Sequence, residues 1–269
     1  MKLFTLTTIL SLATFVLAPG SRSPEDAASF WERMIAAKGG RERLQNVSSL
    51  VVNADGRQRR PVDPGRLRGQ VHETMVYQFP DRYWNWEDTR PSRQDAFSAT
   101  VFNAGTRQWW FSYGGRASIP QRWAPGNVVR VLQTDQVWYL LETRFVRPKP
   151  VKLTVDEAKR VGLLTATLPG FAEISYRVDL ATYLVKECRL SWETAAPGNQ
   201  PRPTEAEVMV FEKYDQVDGL MMPVLVRGER SDLSYIVNPD IDPRLFETPP
   251  DGVNNRDAWK KYWRNKSGD

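Results

Sequence analysis

From residue 50 onward, short β-patterned runs follow one another with little but turn residues between them. The runs cover residues 50–54, 71–79, 83–87, 99–102 and 108–113, then, after a break, 151–155, 162–168, 172–178, 184–192 and 206–214. A parallel sheet needs a crossover of a dozen or more residues, usually a helix, between strands, and most of these gaps are shorter, turn-rich stretches. The spacing predicts an antiparallel meander rather than βαβ units. Asp218-Gly219 marks a hairpin, because a two-residue turn needs positive φ and glycine supplies it without a Cβ clash. Leu233, Tyr235 and Val237 alternate with Ser234 and Asn238, the period of a half-buried strand. Asn238-Pro239 and Asp242-Pro243 then stop the ladder, and Leu245 and Phe246 are expected to seal one end of the sheet.

Two helices are expected on this sheet. Ser23-Pro24-Glu25-Asp26 reads as a helix start: a serine cap, proline in the first turn and acids at the positive dipole end. Ala27, Phe30, Trp31, Met34 and Ile35 recur at helical spacing until Gly39-Gly40, so this helix should lay its Trp31 face on the sheet. Between residues 127 and 145, Val128, Val131, Leu132, Trp138, Leu141 and Phe145 fall close to a 3.6-residue period, and Pro148 and Pro150 follow. An amphipathic helix there is placed to cross an open face of the sheet. Thr194 to Thr204 reads as a mobile loop from its proline, glycine and asparagine content.

The N-terminus bears on compartment. Lys2 precedes an uncharged apolar run from Leu3 to Leu17, and Ala18-Pro19-Gly20 sets small residues before Ser21. Residues 1–20 read as a signal peptide, 21–250 as one β-rich domain and 251–269 as a basic tail. No cysteine lies near the cut to accept a lipid, so the expectation is a soluble periplasmic protein rather than a lipid-anchored one. Cys188 is the single cysteine and falls on a strand face with Leu184, Leu190 and Trp192, where a thiol acts as a small hydrophobe.

The formal charge of +5 is mild, and an exported domain with this balance lacks the footprint of a nucleic-acid binder. Arg57, Arg59, Arg60, Arg66 and Arg68 crowd one hairpin. Trp259 and Trp263 sit among Arg256, Lys260, Lys261, Arg264 and Lys266 in the tail. Both clusters offer contact with an anionic membrane surface, and both also suit a solvated hairpin tip and a docked terminal helix.

The parts of an active site are missing. His72 is the single histidine, with no G-x-S-x-G elbow to pair with it, and one histidine plus one cysteine cannot build a four-ligand zinc site. No phosphate-binding or dinucleotide fingerprint appears, since Gly39-Gly40 and Gly114-Gly115 are turn glycines. The acids Asp156-Glu157 and the pair Asp240 and Asp242 read as solvated loop carboxylates. The expectation is a non-enzyme with neither cofactor nor metal.

Phe79-Pro-Asp-Arg-Tyr-Trp-Asn-Trp86, then Val101-Phe-Asn-Ala-Gly-Thr-Arg-Gln-Trp-Trp-Phe111, resembles the early strands of the periplasmic lipoprotein carrier family (LolA-type). The amphipathic helix near Val131, the turn at Asp179 to Thr182 and the ending Val237-Asn-Pro-Asp-Ile-Asp-Pro-Arg-Leu-Phe246 resemble its longer relatives. The resemblance spans most of residues 23–250. It implies an open antiparallel half-barrel whose concave apolar face is covered by helices and accepts lipoprotein acyl chains. It differs where such carriers have an arginine before the proline to latch a lid: here that position is Phe79.

Ten tryptophans suit an apolar wall built from rings. Trp84 and Trp86 share a strand face, as do Trp109 and Phe111, and these four with Leu132 and Trp138 of the second helix form the candidate ligand-binding set. Two functions stay open: an exported binder or carrier of lipid, acyl chain or another hydrophobic ligand, and a non-catalytic envelope sensor or interaction module on the same scaffold.

Overall fold

The computed structural model describes residues 26–60, 63–88, 97–103, 107–113, 125–195, 201–203, 207–227, 232–246 and 260–264. In chain order the elements are α1 (Ala27–Lys38), α2 (Arg41–Gln45), β1 (Ser49–Arg60), β2 (Asp63–Gln78), β3 (Arg82–Asp88), β4 (Phe97–Asn103), β5 (Arg107–Tyr113) and α3 (Pro125–Leu140). There follow β6 (Lys149–Asp156), β7 (Val161–Thr167), β8 (Glu173–Asp179), β9 (Val185–Ser191), β10 (Glu193–Ala195), β11 (Pro201–Pro203), β12 (Glu207–Val217), β13 (Leu220–Arg227) and β14 (Asp232–Val237). The chain closes with β15 (Asp240–Ile241), a 3₁₀ turn at Pro243–Phe246, another at Lys260–Tyr262, and β16 (Trp263–Arg264).

Twelve strands form one sheet in the order β5-β4-β3-β2-β1-β14-β13-β12-β9-β8-β7-β6. Its pairings are antiparallel and β5 and β6 lie at opposite edges, so the sheet is open rather than closed into a barrel. The meander runs outward in two arms, and β14 returns to pair with β1 over six residues, Leu50↔Val237 to Asp55↔Asp232. Asn238 fixes that join. In the left-handed region at φ 50°, its Oδ1 accepts from Ser48 N at 2.7 Å and Ser49 N at 3.3 Å, and its N–H donates to Ser49 O at 2.9 Å.

The arms meet more loosely on the other side of β14. Leu225↔Asp232 is the one rung joining β13 to β14 among the described residues. Pro223 accounts for the gap in part, because it brings no N–H to a ladder. The Tyr235 hydroxyl donates to the Pro223 carbonyl at 2.5 Å, a side-chain bond across the seam.

Alternation divides the side chains between two faces. One carries Leu50, Val52, Met75, Tyr77, Leu164, Ile174, Tyr176, Leu190, Phe211, Met222 and Tyr235, packed with α1 and α3 in a single core. Phe30, Met34 and Ile35 of α1 are fully buried there, each contributing about 1.5–3 kcal/mol of burial. Gly162 on β7 makes the close approach possible: a Cβ there would meet the Phe30 ring at 2.4 Å. The opposite face of β1–β3 carries Val51, Val76, Trp84 and Trp86 under Ile241, Leu245 and Phe246.

Several expectations shift. The helix cap is Asp26, whose carboxylate accepts Ser29 N at 2.6 Å, rather than Ser23, which lies outside the described residues. α3 ends at Leu140, short of Phe145 and the prolines, because Leu141 turns to φ 67° and Thr143 Oγ1 accepts the N–H groups of Phe145 and Val146. β1 and β2 continue into the arginine-rich hairpin as far as Arg60↔Asp63. β10 and β11 pair as a short ribbon where a loop was expected. Leu245 and Phe246 cover a face of the sheet, not its end. The Asp218-Gly219 turn is as read: both residues have positive φ, at 50° and 77°.

Candidate functional site

The candidate site lies where α3 meets the helix-bearing face. Leu132, Val137, Tyr139 and Leu140 of α3 are buried in the same core as Leu50, Val52, Tyr77 and Tyr235. The Tyr139 and Tyr235 rings lie 5.9 Å apart, near edge-to-face, so α3 touches the strand beside the seam. Apolar packing is only part of its attachment. Of the nine buried polar side chains among the described residues, Thr134, Asp135, Gln136, Glu142 and Thr143 all belong to α3 or the turn after it.

These groups make defined bonds. The Tyr77 hydroxyl of β2 donates to Asp135 Oδ2 at 2.7 Å, joining α3 to the sheet. Thr143 Oγ1 donates to Gln136 Oε1 at 2.6 Å, and Gln136 Nε2 donates to Leu132 O at 3.0 Å, closing the helix end. Beyond the helix, Glu142 Oε2 accepts from Trp31 Nε1 of α1 at 3.2 Å, and Arg41 Nε lies 3.3 Å from Glu142 Oε1. Three buried polar atoms around this wall, Thr134 Oγ1, Trp138 Nε1 and Tyr176 Oη, have no hydrogen-bond partner. Burial, then the nearby Cys188 and Glu142, push the Tyr176 hydroxyl well above the usual phenol range.

The candidate residues read from sequence do not form one site. Leu132 is in the core under α3, and Trp138 packs partly buried against it. Trp84 and Trp86 lie on the opposite face of the sheet, where the Trp84 ring is 5.8 Å from that of Trp263. Parity is the reason: Tyr83 of β3 faces the helices, so its neighbours Trp84 and Trp86 cannot. Register puts Trp109 in line with Trp84 through Val101, and Phe111 in line with Trp86 through Ala99. β4 therefore stands between the two pairs, about 10 Å across, so they are not direct cross-strand neighbours. The side chains of Trp109 and Phe111 lie outside the described residues.

Asp135 and Glu142 escaped the sequence reading, although a signal was present. They lie seven residues apart in step with Leu132 and Tyr139, so Asp135 falls on the apolar stripe of α3 and Glu142 continues that spacing just past the helix end.

Other reactive groups have plain structural roles. His72 Nδ1 contacts Asp55 Oδ1 across the β1–β2 register. Cys188 is buried and its thiol is pushed up by burial. Asp156 accepts the Lys159 N–H and pairs with its ammonium, which lowers that carboxyl, and Arg244 holds Asp242 down to about 2. Among the described residues no group of three His, Cys, Asp or Glu side chains could hold a metal ion. No described helix is long and apolar enough to cross a membrane. A pocket of about 470 Å³ opens beside the seam, lined by β12, β13 and β14, with Val217, Val224, Leu233 and Tyr235 apolar and Lys213, Asp215 and Asp232 charged.

No protein-family model and no curated protein matches the chain. Solved structures similar to it include a DUF1329 family protein from Desulfovibrio piger, at 10% identity over 87% of this chain and 99% of that one, with a TM-score of 0.49. A putative outer membrane lipoprotein-sorting protein domain from Vibrio parahaemolyticus is similar at 9% identity, 82% and 95% coverage and a TM-score of 0.42. A LolA superfamily protein from Nitrosomonas europaea follows at 15% identity, 78% and 90% coverage and a TM-score of 0.40.

Proposed function

We propose that this is an exported, non-catalytic protein that binds a lipid, acyl chain or other hydrophobic ligand between α3 and the apolar face of the sheet. In this reading that face is the concave side of a half-barrel, α3 is its cover, and residues 1–20 direct the chain to the periplasm. One observation carries the proposal: the cover is fastened by buried polar groups over an apolar wall. A helix that stays docked gains most from apolar contacts, whereas one that lifts away needs groups that water satisfies in the open state. Asp135, Gln136, Glu142 and Thr143 are such groups, and the wall that α3 meets at Tyr77 and Tyr235 belongs to one apolar core with Leu50 and Val52. The side chains of α3 and of the wall are buried in one core, so ligand entry in this reading requires α3 to move.

Contact with a membrane surface, in this reading, comes from the arginine hairpin, because Trp263 of the tail is docked against Trp84. Titration of the purified, delipidated protein with the apolar dye N-phenyl-1-naphthylamine tests the proposal. Saturable fluorescence enhancement that Leu132→Asp abolishes is expected; a linear, unsaturable response would remove it. The pocket beside the seam favours a second reading, an interaction module that engages a protein partner there. That reading predicts partner binding lost in Asp232→Lys and kept in Leu132→Asp.

A further inference from the structure

The sheet ends at β6, and half of that edge is open to pairing. None of the eight residues of β6 is buried. Lys149, Pro150 and a bulge between Pro150 and Lys152 blunt its first half, devices that keep an edge from recruiting another strand. The second half has neither proline nor bulge. Lys152 to Asp156 pair with β7 in unbroken register, from Lys152↔Thr165 to Asp156↔Val161. β6 is the last strand of the sheet, so the main-chain N–H and C=O groups on the outer side of this segment have no strand to pair with. Exposed apolar side chains gather at the same place. Five large hydrophobics are exposed among the described residues, and three of them meet here: Val151 and Val155 on β6, at 56% and 38%, and Leu163 at 50%, opposite Thr154 on β7.

The open segment, Lys152-Leu-Thr-Val-Asp156, is complementary to itself read backwards. A two-fold axis perpendicular to the sheet joins two such edges antiparallel and sets residues of equal parity opposite each other. With the axis at Thr154, Lys152 meets the second copy's Asp156, Leu153 meets its Val155, and Thr154 meets itself. Moving the axis to Leu153 sets Lys152 opposite Thr154, and moving it to Val155 sets Leu153 opposite Glu157; neither pairs the charges. Each face of the segment suits the centred register. Leu153 packs partly buried against the core, and Val155 lies opposite Gly162, where the Phe30 ring of α1 sits, so the pair extends the rim of that core. On the other face Lys152 is exposed, and the Asp156 side chain, bonded to Lys159 at 2.9 Å, is still 41% exposed and can accept a second cation. We propose that two copies of this chain pair edge to edge through Lys152–Asp156 of β6, forming one continuous sheet across a two-fold axis at Thr154. Main-chain bonds and the apolar pairs supply the affinity, and the charges fix the register, since exposed ion pairs are worth little. The inference is independent of the apolar ligand site.

Sedimentation velocity over a concentration series of the purified protein tests it. Five residues a side make a small interface, so a reversible dimer is expected, with a Kd on the order of tens of micromolar. Lys152→Asp and Asp156→Lys should each weaken it about tenfold, because either change sets like charges opposite each other twice. The doubly exchanged protein should return to within about threefold of wild type, since the exchange restores both pairs. Thr154→Cys gives a second readout that does not depend on weakening the contact. Cys188 is the single native cysteine and is buried, so the new thiol is the one free to oxidise. Mild oxidation should yield a disulfide-linked dimer from Thr154→Cys and none from Thr165→Cys, one strand inward on the same face. A protein that stays monomeric up to about 1 mM would overturn the proposal. A dimer that neither single exchange weakens, or that cross-links at residue 165 and not at 154, would lie elsewhere on the molecule and overturn it equally.

Discussion

Lys38 shows how a single residue can set a pH dependence. It ends α1 fully buried, with its Nζ 5.3 Å above the Tyr214 ring, and desolvation lowers its ammonium from the usual range to about 7. Between that value and its unfolded range the unfolded chain binds the extra proton, so folding strengthens as pH rises. From pH 7 to 9 the gain should be about 1.4 kcal/mol per pH unit; below 7 this residue contributes no slope. Above 9 the unfolded chain releases the Cys188 proton that the buried thiol keeps, which opposes the gain. Denaturant melts of wild type and Lys38→Met across pH 6 to 9 should show the slope in the first and its loss in the second. Leu132→Asp belongs to the same scale: a carboxylate placed in that core without a partner should cost several kcal/mol, and a melt within a degree of wild type would show that α3 is not docked there.

At the scale of elements, α3 and the C-terminal segment cover opposite faces and should behave differently. Tyr77→Phe removes the hydroxyl that holds Asp135 and should cost about 1–3 kcal/mol, with faster hydrogen exchange in α3 and little change in β1 and β2. Trp84→Ala empties the cluster beneath Ile241, Phe246 and Trp263 and should cost about 3–5 kcal/mol, while dye binding at the α3 side persists in the folded fraction. The strands and the hairpin at Asp218-Gly219 were legible in the sequence because period and turn chemistry act locally. The choice of face was not. Leu50-Val51-Val52 and Met75-Val76-Tyr77 are continuous apolar runs, the mark of strands buried on both sides, and alternation cannot say which side a helix takes. Spacing puts the rings of Trp84 and Trp86 on one face of β3 without saying which, and the packing of Tyr83 against the α3 core shows that theirs is the opposite face. Asp135 and Glu142 were legible by spacing, but their partners Tyr77 and Trp31 come from distant positions that spacing alone does not reveal.

The whole molecule is an open sheet of two arms joined firmly at β1–β14 and loosely at β13–β14, with a polar-fastened helix beside the loose join. That layout gives the sheet two apolar surfaces, one packed against α3 and one against the C-terminal segment, and the proposed ligand site is the first. Hydrogen exchange followed by mass spectrometry, with and without a saturating twelve-carbon alcohol, discriminates between them in one measurement. Binding under α3 should change exchange in residues 131–146 and in β1, β8 and β14, leaving residues 240–246 and 260–264 as they were. Protection confined to the C-terminal segment and β3, or to residues 213–235 alone, or to no part of the chain, would contradict the account.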